Sequence, residues 1–158
     1  MDRTDSIERI GGGLVQMKLM IGRRVIGRTA MANQAATMEV SALDALSIVP
    51  GAEEGQGVMI NEIAKAMRVD QSRASRLVST LVGHGLVERR VSSNDARRAL
   101  VVRTARGSEM LAEIAQLRNA LISEVISDWS DADADRFSKL MIRFLDGFDA
   151  GLSELEPE

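Results

Sequence analysis

DQSRASRLVSTLV, residues Asp70 to Val82, is the stretch that decides how the rest of the chain is interpreted. Its apolar residues recur at intervals of three and four, which predicts one buried stripe of an α-helix. These residues are Ala74, Leu77, Val78, Leu81 and Val82. Asp70 precedes them and is typical of an N-cap, whose carboxylate accepts from the backbone N–H of Ser72 or Arg73. We therefore expect a short amphipathic helix that begins just after Asp70.

The opposite face of this predicted helix carries no acid. It offers arginine, glutamine and serine side chains, which suit hydrogen bonds to base edges and phosphates of DNA. These candidate DNA-binding residues are Gln71, Ser72, Arg73, Ser75, Arg76 and Ser79. An ordinary surface helix with two arginines would have the same periodicity. The sequence on either side must therefore decide between the two interpretations.

Charge is distributed unevenly along the chain. The net charge is −3, yet residues 68–106 hold nine arginines against three acids. A basic segment within an otherwise acidic chain is the electrostatic pattern of a nucleic-acid-binding surface. Arg89 lies in this segment and is a further candidate DNA contact.

Composition removes several classes of function. A chain of 158 residues that is 45% apolar can bury a core, and it has no apolar run long enough for a membrane span. The absence of cysteine excludes disulfides and thiolate metal sites, and with no secretory leader in view it favours the cytoplasm. His84, the one histidine, accompanies no nucleophile motif, so we expect no enzyme and no cofactor.

A calcium site is also not expected. Asp131, Asp133 and Asp135 begin like a calcium-binding loop, but the sixth position is Arg136 and the twelfth is Ile142, where such a loop needs glycine and glutamate. We interpret these acids as a helix start, where carboxylates face the positive end of the helix dipole.

The residues before Asp70 predict a second helix in contact with the first. Its apolar positions have helical spacing, and the short turn Arg68–Val69 then leads to Asp70. These positions are Ile60, Ile63, Ala64 and Met67. Two helices joined by a short turn, with a small residue at their crossing, form a helix-turn-helix.

Two more helices are expected upstream. One spans residues 14–32, after a loose Gly11–Gly13 segment, and one runs from Thr37 until Pro50-Gly51 stops it. GAEEGQG, residues 51–57, is interpreted as a surface loop.

A β-hairpin and two long helices are predicted downstream. Strands at 86–91 and 98–103 flank the turn SSNDA, and this wing carries Arg97 and Arg98. One helix follows from Gly107 to about Ser127, and another begins after Ser130. The last helix has an apolar side that we interpret as a dimer contact, formed by Phe137, Leu140, Met141, Phe144, Leu145 and Phe148.

From Ile60 to Gly107 the succession IAKAM, SRASRLVSTL, GLVERR, DARR and TARG resembles the winged helix-turn-helix core of the MarR (multiple antibiotic resistance regulator) family. The resemblance implies a homodimeric, sequence-specific DNA-binding transcriptional regulator. The commoner mode in that family is repression at a pseudo-palindromic operator, often with release by a small-molecule effector. Two residues depart from the family pattern, because Arg68 stands where glycine is frequent and Arg103 where an apolar residue is usual.

The resemblance also implies roles for single residues. Ser72, Arg73, Ser75 and Arg76 would read bases and phosphates. Arg97 would be the wing-tip arginine that enters the minor groove, where a narrow groove concentrates negative potential, and Asp95 would orient the wing. The resemblance identifies no effector-binding residues.

The expected fold is therefore mainly α with a small β-hairpin wing, a winged helix-turn-helix joined to a helical dimerisation region. Residues 1–36 form an N-terminal dimerisation helix, 37–107 the DNA-binding domain, and 108–158 the C-terminal dimerisation helices. The expected partners are double-stranded DNA, a second copy of the chain and a small-molecule effector. The alternative is a winged-helix module that contacts only proteins, which explains the fold and the dimer but not the acid-free helix face.

Overall fold

The computed structural model describes residues 2–22, 26–27, 29, 38–53, 57–91 and 99–155. Its helices are α1 (Arg3–Gly22), α2 (Val40–Ile48), α3 (Ile60–Met67), α4 (Gln71–Gly83), α5 (Ala105–Val125) and α6 (Asp131–Leu155), and its strands are β1 (Val87–Val91) and β2 (Ala99–Arg103). The chain divides into two compact units, one up to Arg118 and one from Asn119 onwards. Within the described ranges, no helix has both the length and the apolar composition needed to cross a bilayer.

The core of the first unit lies between α2, α3, α4, the hairpin and the start of α5. Its largest fully buried side chains are Leu46, Val49, Ile63, Val78, Leu81, Leu86, Val87, Val101, Val102 and Met110. They come from every element of the predicted winged helix-turn-helix, so one apolar cluster fixes α4 against α3 and the hairpin. The polar face of α4 is left on the surface.

Helix α4 follows the sequence prediction closely. The Asp70 carboxylate accepts a hydrogen bond from the backbone N–H of Arg73 at 2.8 Å, which caps the helix. Four of the five predicted apolar residues are buried, and Val82 is the exception at 39% exposure. Each helical residue advances by about 100°, so Val82 lies roughly 80° from Ala74, at the edge of the buried stripe and in the last turn.

The turn between α3 and α4 places Arg68 in the left-handed region, with φ 54° and ψ 45°. Its N–H donates to the Lys65 carbonyl at 3.1 Å, and the N–H of Val69 donates to Ala64 at 3.0 Å, which closes α3. Glycine adopts this conformation without the steric cost that a Cβ brings. The departure from glycine at this position is therefore strained.

Replacing Arg68 should separate the backbone cost from the side chain's contribution. Arg68→Gly is expected to be about 1 kcal/mol more stable than Arg68→Ala, because alanine keeps the Cβ penalty at positive φ. Both variants lose the same guanidinium, so each is the control for the other. Urea unfolding at one protein concentration measures the difference, and equal midpoints would show that the turn is unstrained.

The hairpin has backbone partners that the sequence did not predict, since strand β2 also bridges to Gly51 and to Val58. Antiparallel pairing runs from Val87 opposite Arg103 to Val91 opposite Ala99, and residues 92–98 between the strands lie outside the described residues. Val58 also pairs with Val101 through two backbone hydrogen bonds of 3.0 and 2.8 Å. The segment at 58 therefore extends the hairpin on the other edge of β2. A single bridging residue has no periodicity that the sequence could reveal.

The glycine run near the N-terminus was predicted incorrectly. Instead of a loose segment at Gly11–Gly13, the helix α1 continues from Arg3 to Gly22. A Cβ at any of these three glycines would meet nothing within 4 Å, so no packing demands glycine there. The cost of glycine in a helix is about 1 kcal/mol each, and good helix formers on both sides offset it. Residues 26, 27 and 29 are also helical, and the rest of the predicted 14–32 helix beyond α1 lies outside the described residues.

Two helix starts also differ from prediction. Helix α2 begins at Val40 rather than Thr37, with Glu39 as its N-cap. Helix α3 is capped two residues earlier than Asn61, at Met59, whose N–H donates to the Glu62 carboxylate at 2.7 Å. In α3 the side chain of the third helical residue satisfies the backbone donor, so the N-cap itself needs no polar side chain.

The junction between β2 and α5 is held by Thr104 and Gly107. The Thr104 hydroxyl accepts from the Gly107 N–H at 3.1 Å and donates to the Gly85 carbonyl at 2.7 Å. A Cβ on Gly107 would overlap the Leu86 carbonyl oxygen and would lie 2.8 Å from Arg103 Cγ. Glycine is therefore required here because α5 approaches the backbone that precedes β1.

Arg103, the second departure from the family pattern, has a structural role. Its guanidinium donates to the Val49 carbonyl through Nη1 and to the Ser108 hydroxyl through Nε, both at 3.1 Å. These bonds join the end of α2, strand β2 and the first turn of α5. An apolar residue at this position would leave the Val49 carbonyl without that donor.

In the second unit, Ser130 caps α6 as the sequence predicted. Its hydroxyl accepts from the Asp133 N–H at 3.1 Å and donates to the Asp133 carboxylate at 2.7 Å. Trp129 packs edge-on against Phe137, with ring centroids 5.2 Å apart. No residue of α6 is buried within the chain.

Candidate nucleic-acid interface

The polar face of α4 presents four of the six predicted DNA-binding residues to solvent. Gln71, Ser72, Arg76 and Ser79 are exposed, whereas Arg73 and Ser75 are half-buried. Because α4 begins at Gln71, the two arginines lie in its first two turns. In a helix-turn-helix, the N-terminal residues of the second helix are those that contact base edges.

The Ser79 hydroxyl, although exposed, makes hydrogen bonds to other residues of the chain. It donates to the Ser75 carbonyl at 2.9 Å and accepts from Arg89 Nη2 at 3.2 Å. The contact brings together two predicted DNA-binding residues that come from different elements, α4 and β1. Arg89 therefore lies beside the recognition face, and the Ser79 hydroxyl contributes by holding it there.

Arg73 is also held by another element. Its Nη2 lies 2.5 Å from Oε1 of Glu39, the N-cap residue of α2. Sequence reasoning did not find this contact. The two residues are 34 positions apart, and no local pattern connects them.

The other arginines of the basic segment differ in what they can contribute. Arg103 donates within the fold, and Arg90 pairs with Glu88 at 2.6 Å on β1. Arg76 is exposed, and its guanidinium has no hydrogen-bond or ion-pair partner in the part of the chain that the structure describes. Its guanidinium, at the second turn of α4, is the cation of this face best placed for an external ligand.

The predicted wing residues belong to the segment between β1 and β2. Asp95, Arg97 and Arg98 lie outside the described residues. Strands β1 and β2 frame the segment that carries them, with Val91 paired to Ala99 at its base.

The predicted dimerisation residues form an exposed apolar face on α6. Phe137, Leu140, Leu145 and Phe148 are 45–50% exposed, and Met141 and Phe144 are half-buried. Phe144 and Phe148 stack on this face with ring centroids 5.6 Å apart. In the first unit, α1 also exposes apolar side chains, namely Ile7, Ile10, Val15, Leu19 and Met20. Apolar faces of this extent are typical of association surfaces.

Comparisons with known proteins agree with these observations. A family model described as MarR family matches residues 36–98. No curated protein sequence matches the chain. Among solved structures, a MarR family protein from Bacillus stearothermophilus is 16% identical with a TM-score of 0.76, over 94% of this chain and 99% of that one.

Two further structures have the same fold. A transcriptional regulator from Thermotoga maritima is 19% identical with a TM-score of 0.65, over 94% of this chain and 98% of that one. A MarR transcriptional regulator from Methanosarcina mazei is 17% identical with a TM-score of 0.63, over 90% and 99%. At these identities the structural likeness establishes the fold, and the family model adds a sequence similarity over residues 36–98.

Proposed function

We propose that this chain, whose residues 36–98 match a model described as MarR family, is a DNA-binding transcriptional regulator that acts as a homodimer. The observation that carries the proposal is the face of α4, which contributes no acid of its own, presents Arg76 to solvent and holds Arg89 at Ser79. The similar structures from Thermotoga maritima and Methanosarcina mazei are described as transcriptional regulators, which supports the same role here.

In this proposal α4 lies in the major groove. Arg76 donates two hydrogen bonds to the O6 and N7 atoms of a guanine, and Gln71, Ser72 and Ser75 contact neighbouring bases or phosphates. Arg89 contacts the phosphate backbone from β1. The wing places Arg97 in the adjacent minor groove, Asp95 orients it, and Arg98 adds a phosphate contact.

The homodimer sets the spacing of the two recognition helices. The apolar faces of α1 and of α6 each bury against the partner subunit, and a two-fold symmetric dimer reads a pseudo-palindromic operator. We place the protein in the cytoplasm and propose that it represses transcription and is released by a small-molecule effector. The location, the repression and the effector release are proposed from the usual behaviour of MarR family regulators rather than from any residue of this chain.

A module that contacts only proteins is the competing function. It would account for the helix-turn-helix and for the exposed apolar side of α6. It gives no reason for nine arginines and only three acids in residues 68–106. Contacts with DNA phosphates would account for this excess of arginines over acids.

Salt dependence distinguishes the two functions. We expect the affinity for duplex DNA to fall steeply with salt, with a log–log slope of about −0.9 for each phosphate contact.

At a selected site, Arg76→Ala should lose about 1–3 kcal/mol of discrimination against other sequences, because a paired guanine contact is removed.

Lys65→Ala is the matched control for Arg76→Ala, since Lys65 is an exposed cation on α3. It should change affinity only slightly and equally on all duplexes. Fluorescence anisotropy at several salt concentrations measures both quantities. A flat salt dependence for the wild-type protein would contradict DNA binding, and an equal loss of affinity on every duplex would make Arg76 a phosphate contact.

A further inference from the structure

The ion pair between Glu39 and Arg73 joins the start of α2 to the first turn of α4. Arg73 Nη2 lies 2.5 Å from Glu39 Oε1, and the two side chains are 42% and 55% exposed. Arg73 follows its cap, Asp70, by three residues. The carboxylate thus holds an arginine at the end of the helix that approaches base edges.

A side-chain cap does not account for Glu39. It is the N-cap residue of α2, yet its side chain makes no capping hydrogen bond to that helix. Glutamate is also outside the group of residues that helices prefer at this position. An exposed ion pair contributes little to folding, because its charges stay in water and holding long side chains costs entropy.

Two physical effects favour a role in recognition. An arginine held by an ion pair has already lost much of its rotamer freedom, so it loses less conformational entropy when it binds a base. Guanidinium has five N–H donors, and one bond to Glu39 leaves others for a base edge. A cation neutralised by a carboxylate also releases fewer counterions from DNA, so it contributes less to binding any sequence.

We infer that Glu39 is a positioning residue that increases the sequence specificity of Arg73. It holds the guanidinium ready for a base edge and reduces its attraction to phosphates. The inference rests on the proposed DNA-binding function and adds to it a carboxylate outside the recognition helix.

Glu39→Gln tests the inference, with two duplexes as probes. One is a site selected by the wild-type protein from a random pool, and the other is a scrambled duplex of the same composition. We expect the ratio of the two affinities to fall about fivefold, the lower end of what one arginine–guanine contact contributes. The salt slope on the scrambled duplex should steepen by about 0.9, because Arg73 becomes one more phosphate contact.

Two controls distinguish the positioning of Arg73 by Glu39 from the general effect of removing one negative charge. Asp44→Asn removes a negative charge from the same helix, at an exposed position, and should leave the affinity ratio unchanged. In an Arg73→Ala background, Glu39→Gln should have no effect on the ratio, because Glu39 acts through Arg73. Far-ultraviolet circular dichroism and urea unfolding confirm that each variant is folded.

The outcomes distinguish this inference from the function on which it rests. If the wild-type protein binds the selected site specifically but Glu39→Gln has the same ratio and salt slope, positioning is refuted and DNA binding stands. It is refuted equally if Asp44→Asn reproduces the effect or if the effect persists without Arg73. If the wild-type protein binds no duplex at any salt concentration, both proposals fail.

Discussion

Gly107→Ala is expected to destabilise the protein by about 3 kcal/mol, the upper part of the range for adding a methyl group to a close contact. The added Cβ would overlap the backbone carbonyl of Leu86, which cannot rotate away as a side chain can. Relief would require α5 to move from β1, and that movement would break the hydrogen bonds of Thr104 to Gly85 and Gly107. Urea unfolding at a fixed protein concentration measures the loss.

Gly83→Ala is the matched control for Gly107→Ala. Gly83 is the last residue of α4, and a Cβ there would meet nothing within 4 Å. Alanine should therefore keep or raise stability, by up to about 1 kcal/mol from helix propensity. A Gly107→Ala variant that unfolds within experimental error of the wild-type protein would mean that α5 does not approach Leu86 as described.

Leu145→Asp should convert the proposed dimer to a monomer and abolish binding to a palindromic site. The Leu145 side chain is 50% exposed within the chain, so the substitution leaves the core of the subunit intact. At a subunit interface, the same carboxylate would be buried without a partner, which costs several kcal/mol in each subunit. Analytical ultracentrifugation should find the mass of one chain at concentrations where the wild-type protein has the mass of two.

Ala150→Asp places the same charge on another side of the same helix. It is exposed and lies about 140° around α6 from Leu145. This variant should remain dimeric and should bind DNA as the wild-type protein does. If Leu145→Asp also stays a tight dimer, the apolar face of α6 is not the dimer contact.

Much of the fold could be predicted because its signals are local. The cap at Asp70, the buried stripe of α4, the Ser130 cap and the two hairpin strands each depend on residues within one element. The overall prediction of a mainly α fold with a β-hairpin wing is confirmed. Contacts that tertiary structure alone creates were missed, such as the pairing of Val58 with Val101. The glycine run in α1 was predicted incorrectly because propensity was given more weight than the helix formers around it.

The same distinction between local signals and tertiary contacts applies to the candidate site. Periodicity was enough to indicate the polar face of α4, since residues on one face of a helix recur in the sequence. It could not indicate that Glu39 holds Arg73 or that Arg89 reaches Ser79, because these partners come from different elements. Nor could it separate Arg103, which donates to the Val49 carbonyl, from the arginines that face solvent. A count of arginines therefore overstates the cations available to DNA.

Selection of bound DNA from a random pool by the full-length protein tests the central claim most directly. If two copies of α4 read DNA from a symmetric dimer, the selected sequences will share an inverted repeat, with half-site centres about one helical turn or 10 base pairs apart. Selection by Arg76→Ala should relax the preference at one symmetric pair of positions. Recovery of no common sequence, from a protein that stays folded and dimeric, would contradict the claim that this face of α4 reads DNA.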